Sequence, residues 1–570
     1  MISQIVFDLP LEGPFDYLIP EHLASQVIVG MRVKVSFGPK TQIGLVTDIL
    51  AQSVILKLKP IISLCEPSAV FNELDLNFAR QFSAYYGCSL GEALFTLLRN
   101  KEVLKPSISR GNQSKIVLYR SLPEKYVKKI QEIINGYSAH SRFLLLVPDA
   151  SRGQLFIQQF KGIGSIKIGM RSSVFESDGQ YDAVIMVDDE DSSYKQEQTP
   201  MYETRQVLLA RAKIFGFDIA FLAVSPSVEL MALVQEEKIK LIEDPEAKAS
   251  VVRLVDVSNY KFIPGLISPP VRDALEAALK AGNKSALILN RRGSYRLTRC
   301  VNCAEILKCS HCDSSLIYSR IAGEFLCRHC TYTAPGNTVC PQCHKSSWQS
   351  IGIGVEQVQA ELKRLFSQAK IQAFERASES LGDFDILIST SAILRFQGAL
   401  KIQYAAFIDF DAELNRLDMR SAFNAFSLVL HMASMTLQTV FIQTRNTQHY
   451  VLQYLSSCNW RGYYDEELKL RKEFGFSPFK HWVKINWRGK QEKTTLESAQ
   501  QVYNILFESS SKAFVITPPL ADTVGRKRDL FRFNVMVQAF DVIEMVQHIK
   551  STLSQVKRPS RVIVTLNVDP

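Results

Sequence analysis

The chain has 570 residues, 46% of them hydrophobic and 22% charged, with a formal net charge of +10; that length calls for several domains, and that composition for packed globular ones. No apolar run is long enough to span a membrane, and MISQIVFDLPLEG carries no basic stretch before an apolar core, so a membrane and export are not expected and a reducing, cytoplasmic setting is. The positive balance fits a polyanionic partner without identifying one.

Residues 1–105 open with the strand-like runs QIVFDL, FDYLIP, RVKVSF and IGLVTDIL, separated by turn residues such as Gly30 and Gly38-Pro39. They predict a small β-rich domain. A helical stretch is expected from Asn72 to Arg99, and the polar run 106–113 reads as a linker. Between 116 and 460 buried-strand runs alternate with helix-like stretches: RFLLLVPD, YDAVIMVDD, DIAFLAVS, SALILN, FDILIST, YAAFIDFD and TVFIQT. One intervening helix, VEQVQAELKRLF, places Val355, Val358, Leu362 and Leu365 on one face. This alternation predicts an α/β architecture of parallel sheets in two lobes, 116–250 and 251–460. Residues 461–570 read as mixed α+β, ending in RVIVTLNV.

Within the first lobe, YDAVIMVDDEDSSYKQ ends a buried strand in Asp188, Asp189, Glu190 and Asp191. Carboxylates there resemble the Mg²⁺-holding motif of P-loop NTPases, and equally suit a solvated acidic loop. The partner that nucleotide chemistry needs is a Gly-rich loop closing on Lys-Ser/Thr. No G-x-x-x-x-G-K-[S/T] occurs: Gly38-Pro39-Lys40-Thr41 and Gly282-Asn283-Lys284-Ser285 insert a residue, and Gly489-Lys490 runs into Gln491.

Within the second lobe, eight of the eleven cysteines fall in residues 300–343 as four Cys-x-x-Cys pairs: Cys300/Cys303, Cys309/Cys312, Cys327/Cys330 and Cys340/Cys343. Eight thiolates fill two four-cysteine zinc sites with no open position, so the metal is expected to be structural. Disulfides are disfavoured without a signal peptide. The short spacer from Cys303 to Cys309 suggests that the outer pairs (Cys300, Cys303, Cys340, Cys343) hold one zinc and the inner pairs (Cys309, Cys312, Cys327, Cys330) the other. An interleaved cross-brace is the alternative, and His311 and His329 could substitute as ligands. Cys65, Cys88 and Cys458 have no partner spacing and read as small apolar residues or incidental thiols.

Together these pieces resemble the primosomal protein N′ family, the PriA replication-restart helicases, over nearly the whole chain. The resemblance rests on FDYLIP, the run from Gly30 to Gly38, IGMRSSVF, DDEDSSYKQ with Pro200 and Tyr202, LNRRGSY, the cysteine array behind it, GIGVEQV and the closing NVDP. It implies two RecA-like helicase lobes, with a two-zinc insertion, 300–343, in the second. It also implies a 3′-end DNA-binding domain at 1–105 and a DNA-binding domain at 461–570.

For sites, the resemblance implies that Phe15, Asp16, Tyr17, Gly38 and, more loosely, Lys59 line a pocket for the terminal base. An aromatic there can stack, a carboxylate can accept from a hydroxyl or base amine, and a lysine can meet phosphate. Phe15 and Tyr17 equally suit the core of a strand. The resemblance also implies that Tyr194, Lys195 and Gln196 sense single-stranded DNA, and that Arg526, Lys527, Arg528, Arg532 and Lys550 add a basic surface. Arg291, Arg292, Arg296 and Arg299 could contact phosphate or form a solvated face.

The departures from the family pattern carry their own expectation. The phosphate loop and the helix it would start are expected to be missing. Ala223-Val224-Ser225-Pro226-Ser227 stands for the family's Ser-Ala-Thr-Pro-Ser, the histidine of the acidic motif is replaced, and ILRFQGAL has lost the family's Lys-Gly-His-Asp. Met435 and Gln438 stand where the family's arginine-finger motif has arginines. An arginine finger alone is worth about 10³ to 10⁵ in rate, so no enzyme activity is expected and ATP with Mg²⁺ is not an expected cofactor. The function implied is replication restart: binding forked and single-stranded DNA, meeting other primosome proteins and single-strand-binding protein, and helping to reload the replicative helicase through it or its loader. A divergent active 3′-5′ helicase and a zinc-dependent DNA-binding scaffold outside restart are the alternatives.

Overall fold

The computed structural model describes residues 1–99, 114–161, 163, 165–176, 181–244, 250–258, 266–289, 297–310, 315–319, 323–327, 332–351, 354–374, 381–416, 418–510, 513–527 and 529–570. The linker 106–113 and Arg291, Arg292, Arg296, Cys312, Cys330, His311, His329 and Arg528 lie outside them.

The N-terminal strands form one antiparallel sheet in the order Phe15–Leu18, Ile2–Val6, Lys40–Leu50, Arg32–Phe37, Ile61–Leu64. Alternation along Arg32–Phe37 buries Val33 and Val35 in a small core with Ile5, Phe7, Tyr17 and Val46. Gly30 has φ +85°, and a Cβ there would lie 1.9 Å from the Phe71 carbonyl oxygen, so the tight turn at this point requires glycine. The helix Glu73–Tyr86 starts at a capping box: Asn72 and Asp75 each accept the other's backbone N–H at 3.0 Å. This helix packs away from its own sheet. Phe78 meets Phe215 at 6.4 Å and Phe82 meets Tyr202 at 6.0 Å, both in the first lobe.

Each lobe is a six-stranded parallel sheet. The first runs Lys240–Glu243, Ile116–Arg120, Asp218–Ala223, Ala183–Val187, Phe143–Leu146, Ile166–Gly169. The second runs Val251–Asp256, Thr436–Thr444, Ile402–Phe407, Ser285–Ile288, Ile386–Ser389, Ile371–Phe374. Strands such as FLLL and AVIMV are buried along their full length, as parallel strands between helix layers must be. The helix expected to be missing is present: Ile116–Arg120 leads through Ser121–Lys125 into Tyr126–Asn135. Lys125 and Tyr126 have no glycine signature, which is why motif search passed over a strand and helix that hydrophobic pattern alone supports.

The insertion holds a two-stranded ribbon, Leu297–Cys300 with Trp348–Ile351, and a three-stranded sheet of Ile317–Ser319, Glu324–Leu326 and Thr333–Pro335. The C-terminal sheet orders Val515–Ile516, Leu530–Ala539, His481–Gly489 and Ile563–Val568, with Leu520–Lys527 also on Leu530–Ala539. The helices Glu492–Ser509 and Val542–Gln555 bury against one face of it through Val502, Leu506, Met545 and Ile549. Among the described residues, no helix is long and apolar enough to cross a membrane.

Candidate functional site

Three places carry chemistry: the edge of the N-terminal sheet, the junction between the lobes, and the cysteine insertion.

At the sheet edge, strand pairing sets Asp16 opposite Gln4. The Asp16 carboxylate accepts from Gln4 Nε2 at 3.2 Å and from Ser53 Oγ at 2.5 Å. Alternation sends Phe15 and Tyr17 to the other face. Phe15 packs on Phe7 and Phe37 at 5.7 and 5.3 Å, half-buried. Tyr17 is buried and donates to the Ser36 carbonyl at 3.1 Å, so its ring is core. The Lys59 ammonium reaches the Gly38 carbonyl at 3.5 Å. Phe15, Gly38 and Lys59 therefore share one end of the sheet, with Asp16 on the adjoining face.

At the lobe junction the four acids take four roles. Asp188, at the strand end with φ 50°, accepts from Tyr126 OH at 2.7 Å and from the Arg152 guanidinium. Arg152 Nη2 donates to Gln397 Oε1 at 3.0 Å. The Gln397 amide then donates to His431 Nδ1 at 2.6 Å, leaving His431 Nε2–H to donate to Glu190 Oε1 at 2.6 Å. This chain of bonds leaves the first lobe, passes through two side chains of the second, and returns. Asp188, Glu190 and His431 offer ligand atoms within 4.8 Å of one another. Asp189 faces elsewhere, taking Arg205 at 2.9 Å; Arg205 also lies 3.3 Å from Glu203 and 3.4 Å from Glu229. Asp191 caps the short turn Ser192–Tyr194 by accepting from Ser193 N at 2.9 Å. Tyr126, Arg152 and Gln397 escaped sequence reasoning, because single polar residues outside a spaced motif leave no periodic signal.

Burial, then the Arg152 charge, holds His431 at a pKa of about 3 against an ordinary 6.5. Burial, then Asp189, pushes Glu190 well above its ordinary 4.5. A depressed His431 contributes stability that is fully present above pH 6.5 and lost as pH falls toward 3, because only the unfolded chain takes up the proton there. We expect the stability difference between wild type and His431→Gln to be constant above pH 6.5 and to shrink by about 1.4 kcal/mol per pH unit below it. Unfolding transitions followed across that range check this, and a difference that does not change with pH would rule out a neutral buried His431.

The DNA contact expected of Tyr194 and Lys195 is not offered by this arrangement. Tyr194 is buried and donates to the Val187 carbonyl at 2.9 Å. Lys195 donates to the carbonyls of Val568 and Asp569 at 2.6 and 3.1 Å, and burial draws its pKa down to about 8. Tyr194 packs inside the first lobe and Lys195 ties that lobe to the end of the C-terminal sheet, instead of facing solvent.

In the insertion, two knuckles repeat one geometry. Cys300 N donates to Glu305 O at 2.7 Å and Cys340 N to Lys345 O at 2.8 Å, and each pair is followed by a left-handed residue, Ala304 or His344. They bring Cys300, Cys303, Cys340 and Cys343 together with all sulfurs within 4.8 Å, the closest pairs at 3.4 and 3.5 Å. A tetrahedral four-thiolate zinc with bonds near 2.3 Å spaces its sulfurs about 3.8 Å apart, so this quartet fits the ion. Cys309 and Cys327 are buried beside Leu307, Leu316 and Phe325.

On the C-terminal sheet, Arg488 lies directly opposite Arg532, and among the described residues neither has an ion-pair partner. Burial, then Arg532, lowers the Arg488 pKa. Arg526 is paired with Asp529 at 3.2 Å and Lys550 with Glu12 at 2.7 Å. Arg299 is exposed beside the first knuckle.

A family model described as the 3′ DNA-binding domain of PriA matches residues 4–99. The replication restart protein PriA of Treponema pallidum is 24% identical over 654 aligned residues, covering 100% of this chain and 99% of that protein. The proteins of that name from Rickettsia conorii and Haemophilus influenzae are 23% and 21% identical with the same coverage. Over its whole length the chain is similar to these PriA proteins. Solved structures matched include the DUF1998 helicase MrfA bound to DNA, at 10% identity and TM-score 0.33, covering 70% of this chain and 54% of that one. The Escherichia coli DExH-box NTPase HrpB matches at 9% identity and TM-score 0.31, over 58% of this chain and 39% of that one.

The expectation that the chain is no enzyme does not stand. It aligns end to end, both lobes included, with replication restart proteins named PriA. Missing motif residues identify contacts that are absent; they do not establish that turnover is. In this chain a strand and a helix also flank Ser121–Lys125 beside Asp188.

Proposed function

We propose that this chain is a PriA-family protein that acts in replication restart in the cytoplasm, holding the 3′ end of a strand at a fork and helping to reload the replicative helicase. The observation that carries this reading is the match of residues 4–99 to the family's 3′ DNA-binding domain, within relatives aligned over the whole chain. In this reading 1–105 receives the 3′ end at Phe15, Asp16, Gly38 and Lys59, with Tyr17 supporting them from the core. Residues 116–250 and 251–460 are RecA-like helicase lobes. The insertion 300–343 holds two zinc ions and is the docking platform for the helicase, its loader or other primosome proteins. Residues 461–570 bind DNA, for which Arg488 and Arg532, without an ion-pair partner among the described residues, offer phosphate contacts.

A forked DNA with a free 3′-hydroxyl should bind roughly tenfold tighter than the same fork blocked by a 3′-phosphate, since a buried hydroxyl partner is worth about 1–3 kcal/mol and a phosphate brings charge against Asp16. Asp16→Asn should erase most of that preference. Equal affinity for both ends, read by fluorescence anisotropy at fixed salt, would overturn the 3′-end assignment.

A further inference from the structure

The loop between Lys40–Leu50 and Ile61–Leu64 carries Ser53-Val54-Ile55-Leu56-Lys57-Leu58-Lys59. A loop tip in water is ordinarily polar. Here Val54 is 98% exposed, Ile55 50% and Leu56 100%. One exposed aliphatic is commonplace, but three in succession keep contiguous apolar surface in water, and such surface marks a contact.

Both ends of the loop are tied to the candidate 3′-end site. Ser53 Oγ donates to Asp16 at 2.5 Å and accepts from Ile55 N at 3.0 Å. At the other end the Lys59 carbonyl accepts from Leu18 N at 3.0 Å, and its ammonium reaches Gly38 O at 3.5 Å. Leu18, itself exposed, follows Tyr17 on the same strand. The apolar tip is therefore held beside the residues assigned to the terminal nucleotide.

We propose that this tip caps the end of a duplex at the fork, Val54 and Leu56 covering the face of the base pair next to the 3′ terminus while Lys57 and Lys59 meet its phosphates. The proposal rests on the 3′-end reading above. A terminal base pair is a flat, uncharged, apolar face rimmed by phosphates. Aliphatic side chains cover such a face without reading its sequence, and leucine and isoleucine serve elsewhere as wedges between base steps. Flanking lysines complement the phosphate rim, where an apolar protein partner would give them no counter-charge.

The test replaces Val54, Ile55 and Leu56 together by serine in the full chain; exposed residues of a loop tip should leave the melting temperature unchanged. Two DNAs are compared at one salt concentration, a single strand with a free 3′ end and the same end paired at a fork, with 2-aminopurine in the last base pair. We expect single-strand binding to change by less than about twofold and fork binding to fall roughly tenfold, the scale of one lost stacking surface. We also expect the 2-aminopurine signal change seen with wild type to vanish. Unchanged fork binding, or equal loss on both DNAs, overturns the cap. So does a shift from dimer to monomer on substitution with fork binding intact, which would identify a second copy of the chain as the occupant. A wild type that does not prefer the 3′-hydroxyl sinks the 3′-end reading itself, whatever the loop variant does.

Discussion

If the insertion holds the two zinc ions proposed for it, Cys340→Ser should release one equivalent and melt the ribbon of Leu297–Cys300 and Trp348–Ile351. Apart from the metal the ribbon is held by a few local contacts: Trp348 rests on Phe325 and donates to the Thr338 carbonyl at 2.7 Å, and Thr298 O accepts from Leu307 N at 2.8 Å. It is two short strands, and Cys300 N and Cys340 N are satisfied within their own knuckles. Structural zinc contributes on the order of 10–16 kcal/mol to the folding of such units, more than the remaining contacts can replace when one of four thiolates is lost. Native mass spectrometry counts the metal, and hydrogen exchange over the two strands reports the melting. The main thermal transition should stay in place, because the lobe cores are formed without the insertion. Two equivalents of zinc in the variant, or an unprotected ribbon in the native chain, would refute the assignment of this quartet.

Arg205→Met should cost about 3–5 kcal/mol, the usual penalty for removing one partner from a buried charge network. Arg205 is buried among Asp189, Glu203 and Glu229. Burial works to raise the Glu229 pKa, but Arg420, Arg205 and Arg471 outweigh it and hold that carboxyl at about 2. Without Arg205, Asp189 keeps only neutral partners on Ser227, whose backbone N–H donates at 3.4 Å, and Glu203 loses its guanidinium. A methionine fills similar volume, so the loss is electrostatic and not a cavity. Because a chain of several domains need not unfold in one step, the measurement is hydrogen exchange of Ala183–Val187 alongside the thermal transition. Arg205→Lys should fall between the two, since an ammonium cannot serve three carboxylates as a guanidinium does. A methionine variant as stable as wild type would show that the network adds nothing.

The strands that sequence made legible were those carrying continuous apolar runs. RFLLLVPD and YDAVIMVDD are buried on both faces, and their hydrophobicity declares it. Edge strands such as Ile166–Gly169 and Lys240–Glu243 were not, because half-buried residues interleave charge with short apolar stretches. The cysteine quartet was readable because its spacing is itself the geometry of a knuckle. The lobe junction was not. Arg152, Gln397 and His431 come from three distant segments, and their alignment is a product of the fold. Tyr194 and Lys195 show the opposite limit: residue type permitted DNA contact, but three-dimensional packing had already committed both side chains.

The bond chain from Asp188 through Arg152, Gln397 and His431 to Glu190 ties the contact between the lobes to two groups that burial shifts in opposite senses. Burial draws His431 down to about 3 and raises Glu190 well above its ordinary value, so each is held toward its neutral form. Water admitted to this junction would relax both shifts, Glu190 giving up protons and His431 gaining them, so the two linkages pull against each other as the pH changes.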